Sequence, residues 1–74
     1  MIKTINECTA KEIFDSEGKN KNNSNHRKVL IMVLSMYEKM KEVIKREDWG
    51  AMELAWKEAK KQIKPEILNT KINL

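Results

Sequence analysis

The stretch from Lys28 to Ile44, K-V-L-I-M-V-L-S-M-Y-E-K-M-K-E-V-I, carries most of the large aliphatic side chains of an otherwise polar chain. Any fold must cover it. Val29–Leu34 alone fits a buried strand as well as a helix, because a short apolar run has no readable period. The continuation at Met36, Tyr37, Met40, Val43 and Ile44 keeps helical spacing and decides for a helix. Ser24 or Asn25 serves as N-cap, and neither Pro nor Gly interrupts before Gly50. From residue 26 to 46 such a helix would be about 30 Å long.

Its apolar surface is wider than one neighbour covers. Leu30, Val33, Leu34, Tyr37, Met40 and Ile44 form one stripe, and Val29, Met32, Met36 and Val43 a second beside it. Together they span roughly 200°, against a little over 100° for a helix packed on a single surface. The second stripe therefore has two readings: it is covered by another segment of the chain, or it receives another protein.

Downstream, Glu47-Asp48 makes a tight connection, with Asp48 as N-cap of the next helix. Trp49, Met52, Trp56, Ala59 and Ile63 recur at spacings of three and four, a seam of heptad type. Pro65 disfavours helical geometry at Lys64, so this helix ends there, and Pro65–Leu68 fits one further turn. So short a connection makes the helices antiparallel neighbours. The hairpin core is then Leu30, Val33, Leu34, Tyr37, Met40 and Ile44 against Trp49, Met52, Trp56, Ala59 and Ile63.

Upstream, Thr9 followed by Glu12 has the capping-box pattern, and Cys8 and Ile13 occupy the positions of a hydrophobic staple. This predicts a short helix over residues 9–17, stopped by Gly18. Residues 18–25, G-K-N-K-N-N-S-N, read as a mobile loop, because Asn and Ser compete with helix by bonding their own backbone. Residues 1–8 and 69–74 read as frayed. The expected fold is all-α: one domain over residues 1–74, a helical hairpin of about 25–47 and 48–64, and the 9–17 helix packed on it as a three-helix arrangement.

Bulk properties narrow the function. A chain of 74 residues buries only about 60% of its unfolded surface, so small domains commonly lean on disulfides, metals or oligomerisation. Cys8 is the only cysteine and His26 the only histidine, which removes an internal disulfide and a Cys/His zinc site. A lone thiol and the lack of a signal pattern fit a cytoplasmic setting. Six apolar residues in a row, Val29–Leu34, fall far short of the about 20 that span a bilayer. The net charge of +4 is spread along the chain, +6 and −4 over residues 1–37, +9 and −7 over residues 38–74. Such balance chiefly favours solubility, with a mild attraction to polyanions.

Candidate chemistry is sparse. No Gly-rich phosphate loop or recognised nucleophile setting occurs, and His26 has no carboxylate near it in sequence, so no catalytic residue, cofactor or metal site is expected. Arg27 and Lys28 with His26 stand at the start of the long helix, beside loop residues Lys19 and Lys21. Backbone N–H groups there favour an anion, which makes nucleic acid a candidate partner. The plainer reading is that these cations guard an aggregation-prone run. Lys57, Lys60, Lys61 and Lys64 follow one flank of the last helix, but Glu53 falls in the same stripe and a solvated face explains them.

Two short stretches resemble known modules. T-A-K-E-I-F-D-S-E-G (9–18) resembles the first helix of a helix-turn-helix reader, implying a recognition helix that starts at His26-Arg27-Lys28. It departs in its long connection, 18–25, and in having Phe14 where such motifs are small. D-W-G-A-M-E-L-A-W-K-E-A (48–59) resembles the second helix of a tetratricopeptide repeat, with Trp56 and Ala59 suitably spaced but no matching first helix. Neither assigns the chain to a family. The expectation is a non-enzymatic protein-interaction module, a small adaptor, regulator or inhibitor that self-associates, acting through Val29, Met32, Met36 and Val43. The alternative is a nucleic-acid-binding regulator using Lys19, Lys21, His26, Arg27 and Lys28.

Overall fold

The computed structural model describes residues 1–36 and 40–74, with the side chain of Met40 left out. Strand β1 (Ile2–Thr4) leads through a 3₁₀ turn (Ile5–Glu7) into helix α1 (Ala10–Asp15). A second 3₁₀ turn (Glu17–Asn20) precedes α2 (Ser24–Met36); α3 (Met40–Lys45), α4 (Trp49–Lys60), α5 (Pro65–Leu68) and strand β2 (Lys71–Asn73) follow. The chain is mostly helical, with one small two-stranded sheet. Its Cα radius of gyration, 11.3 Å, is that of a compact chain of this length.

The local start signals act as the sequence predicts. Thr9 caps α1 through a full capping box with Glu12, and Asp48 caps α4 by accepting the N–H of Ala51 at 3.2 Å. A second capping box, Thr4 with Glu7, closes the first 3₁₀ turn. Pro65 opens α5, where its missing N–H costs nothing. The α3–α4 connection turns at Glu47, which takes a positive φ of 56°. At the start of α2 it is Asn23, rather than Ser24 or Asn25, whose side chain accepts the N–H of His26 (3.1 Å).

Two expectations need correction, and a third lies partly outside the described residues. In place of frayed ends, β1 and β2 pair antiparallel, with Ile2 opposite Asn73, Lys3 opposite Ile72 and Thr4 opposite Lys71. Ile5 and Ile72 are fully buried, so both ends contribute to the core. In place of a mobile 18–25 loop, the asparagines there tether the chain. Asn20 is buried and donates to the carbonyls of Ser16 and Asn73 (both 2.8 Å) while accepting the N–H of Asn73 (2.9 Å). Asn23 donates to the Lys71 carbonyl and Asn25 to the Thr70 hydroxyl. The preference of Asn for backbone partners is satisfied, but by a strand some fifty residues away. Finally, the helix expected over residues 25–47 is described as α2 and α3, and its middle, Tyr37 included, lies outside the described residues.

The core forms around α4, which packs on α1, α2 and α3. Met52, Trp56 and Ala59 are buried from α4, with Ile63 just beyond it; Ala10 and Ile13 come from α1, and Val29, Leu30 and Val33 from α2. Trp56 donates from Nε1 to the Cys8 carbonyl (2.9 Å), so the largest core side chain is also satisfied as a donor. Ala10 N–H, at the free end of α1, is taken by the Glu53 carboxylate of α4 (2.6 Å).

Candidate functional site: an apolar groove beside α2

Helix α2 divides its side chains between two environments. Val29 and Val33 are sealed in the core, while Leu34 is half-buried and Ile31 is 56% exposed. Between α1, α2, α3 and the turn into α4 runs a groove of about 500 Å³. Leu30 forms part of its floor, and Phe14, Leu34, Ile44 and Trp49 line it half-buried. Ile31 stands at its edge. Two cations, Arg27 of α2 and Lys41 of α3, line it together with three carboxylates, Asp15 at the end of α1, Glu17 of the second 3₁₀ turn and Glu47 of the turn before α4. Lys11 lies over the Trp49 ring at 5.5 Å from its centroid and pairs with Asp15, which steadies the indole that lines the groove.

The residues expected from sequence to receive a partner are placed differently. Val29 is only 1% exposed and cannot meet a partner. Met32, Met36 and Val43 are half-buried and packed against the core. The second stripe is thus covered within the chain, in a core that also holds Ile5 and Ile72. Of the expected hairpin core, Leu30, Val33, Met52, Trp56, Ala59 and Ile63 are buried, whereas Leu34, Ile44 and Trp49 open onto the groove. Tyr37 and the Met40 side chain lie outside the described residues. Ile31 belongs to neither stripe of the sequence reading. A β-branched aliphatic among Ser24, Lys28 and Ser35 on an otherwise polar face is the signal that marks it.

The basic set also separates. His26 is buried, its Nε2 at 2.9 Å from the Ile13 carbonyl, and is a link between α1 and α2 rather than an anion contact. Arg27 is exposed, donates to the Lys21 carbonyl (2.6 Å) and lines the groove. Lys28 is exposed and lines neither concavity. Lys19 and Lys21 meet Lys71 of β2 around a polar depression of about 710 Å³ walled by Asn20, Asn22, Asn23 and Ser24. Lys19 also donates to the Leu74 carbonyl. On α4, Lys60 lies over the Trp56 ring and Lys61 pairs with Glu58 (3.1 Å), so that flank is engaged locally.

Titration follows geometry. Glu12 sits below the usual carboxylate range because it accepts the Thr9 N–H (2.9 Å) and then Lys3 Nζ (3.0 Å). Glu7 is lowered in the same way by the Thr4 hydroxyl and N–H. Burial pushes the Cys8 thiol up, and Sγ donates to the Thr4 carbonyl at 3.3 Å, an arrangement of a packed thiol rather than of a nucleophile. Among the described residues no three His, Cys, Asp or Glu side chains are grouped to hold a metal ion, and no helix is long and apolar enough to cross a membrane. No protein-family model, curated protein or solved structure matches the chain.

Proposed function

We propose that this chain is a non-enzymatic protein-interaction module of the cytoplasm that holds an apolar, helical segment of a protein in the groove beside α2. One observation carries the reading. Six large apolar side chains, Phe14, Leu30, Ile31, Leu34, Ile44 and Trp49, converge on a single concavity instead of closing over one another. A concave apolar floor edged by charge is the form that receives the apolar face of an amphipathic helix. The free Cys8 thiol suits a reducing compartment.

The test uses an amphipathic helical peptide with leucines at i, i+3, i+4 and i+7, read by the fluorescence of Trp49 in a Trp56→Phe background. Saturable quenching or enhancement that Leu34→Asp abolishes supports the reading. A flat titration with a folded protein overturns it.

A second reading rests on a different observation. Lys71, remote in sequence, joins Lys19 and Lys21 around one depression, which concentrates positive charge beyond what the sequence grouping offered. Nucleic acid is the partner such a surface attracts. Titration of duplex and single-stranded DNA at two salt concentrations decides it. Affinity that falls steeply with salt and weakens in Lys21→Ala/Lys71→Ala supports contact with phosphates, and absence of binding at low salt removes this reading.

A further inference from the structure

Charge is distributed unevenly over the concavities of this chain. Carboxylates and cations together line the groove beside α2 and the smaller cavities that hold Ser16 and His26. The depression around Lys19, Lys21 and Lys71 is different: its other lining residues are asparagines, Ser24 and Gly18, with no carboxylate. Three positive charges gather there in a chain whose net charge is +4, which leaves the rest nearly balanced. The ion pairs among the described residues are Lys3–Glu12, Lys11–Asp15 and Lys61–Glu58, so no carboxylate side chain neutralises the three lysines. Lys19 donates to the Leu74 carbonyl, a neutral partner that leaves its charge in place. Neutral bonds also fix the backbone that carries them. Asn23 donates to the Lys71 carbonyl (3.2 Å), and Asn20 holds both the carbonyl and the N–H of Asn73. Cations gathered by such bonds repel one another, and a bound anion removes that repulsion.

The lining also narrows the class of anion. It contains no aromatic or aliphatic side chain, so it offers no platform on which a base could stack. Its volume of about 710 Å³ falls within the about 300–1,000 Å³ of small-molecule clefts. Neighbouring cations do not extend it into a track for a long backbone. Arg27 donates to the Lys21 carbonyl and lines the groove, while Lys60 and Lys61 are engaged by Trp56 and Glu58. A compact anion with several charges matches these features. We propose, resting on the same cationic depression as the nucleic-acid reading, that it is a site for a short chain of linked phosphates, free or as the triphosphate of a nucleotide. Lys19, Lys21 and Lys71 meet the phosphate oxygens, and Asn22 and Ser24 supply neutral donors.

Calorimetric titration of the full chain with sodium tripolyphosphate, at low and moderate salt, tests this. Saturable binding that weakens with salt is expected, at least about tenfold weaker in Lys21→Gln/Lys71→Gln. Lys57→Gln/Lys64→Gln removes the same charge from exposed positions on and beyond α4 and should change affinity by less than about twofold. Circular dichroism of each variant checks that the fold is kept. ATP should displace tripolyphosphate and adenosine should not. Equal affinity for the two phosphates assigns the site to the free chain, and ATP about tenfold tighter assigns it to a nucleotide. A wild type that binds no tripolyphosphate at low salt overturns the proposal, as does an equal loss in the two lysine variants. DNA bound where tripolyphosphate is not overturns the phosphate-chain site while leaving the nucleic-acid reading standing, and binding of neither overturns both.

Discussion

Two regions of this molecule treat similar residues in opposite ways. Where the inner faces of α1, α2 and α4 meet the two strands, Ile5, Ile13, Val29, Met52, Trp56 and Ile72 are sealed and the polar groups are answered: Trp56 donates to Cys8, Asn20 spans Ser16 and Asn73, and Glu53 takes the end of α1. No buried side-chain nitrogen or oxygen among the described residues lacks a partner. Along the groove, Phe14, Leu34, Ile44 and Trp49 are equally apolar yet only half-buried, and Ile31 more than half exposed. Helix α2 belongs to both regions, one face in each. Apolar content alone therefore does not separate the two regions; what separates them is whether a neighbour completes the burial.

The sharpest break of this contrast is Trp56→Ala. It removes the largest sealed side chain and the Cys8 hydrogen bond, and should cost about 3–5 kcal/mol. In a domain this small that is enough to unfold much of the population, visible as lost helicity and a collapsed denaturation midpoint. Asn20→Ala comes next. It leaves the Asn73 N–H and two carbonyls without their partner, for an expected loss of about 1–3 kcal/mol in chemical denaturation.

On the groove side the expectation inverts. Ile31→Lys should change stability by no more than about 0.5 kcal/mol, as an exposed substitution away from caps and core. Its effect falls on association instead. A large stability loss in this variant would mean that Ile31 belongs to the sealed region and would erase the contrast.

The smallest effect is in acid. Glu7 and Glu12 have folded values below their ordinary range, so their contribution is complete above that range and is lost as pH falls through the lowered values. Stability should be flat near neutrality and decline below the usual carboxylate range. Glu7→Gln/Glu12→Gln should flatten the decline, measured as denaturation midpoint against pH, whereas a groove variant should leave it untouched.

Much of the helical half of this fold was legible. The Thr9–Glu12 box, the Asp48 cap, the Trp49–Ile63 seam and the turn at Pro65 are local signals, each satisfied within a few residues, and local signals survive in a single sequence. The strands were not legible, because three residues make no pattern and their partners lie at the far side of the chain. A reading without the strands also lacks Ile5 and Ile72 as core residues, leaves the Val29 stripe without an assured neighbour, and places Leu34 and Ile44 inside a closed hairpin core. Asn20, Asn23 and Asn25 misled for a related reason: their chemistry was read correctly, but their partners were sought nearby.

The pairing of β1 with β2 has a consequence in time. Residues 2–4 find their hydrogen bonds only in residues 71–73, so the first strand made waits for nearly the whole domain to be synthesised. Closing a loop of that length costs roughly 4 kcal/mol of chain entropy before any ladder bond returns it. The helices must therefore collapse first and carry the two strands together, leaving Ile5, Cys8 and the asparagine tethers to lock afterwards. Until then the groove side of α2 and the unsealed core side are both open, and a growing chain presents more apolar surface than the finished one. For such a chain, early burial of α2 against another molecule would shorten its most vulnerable interval.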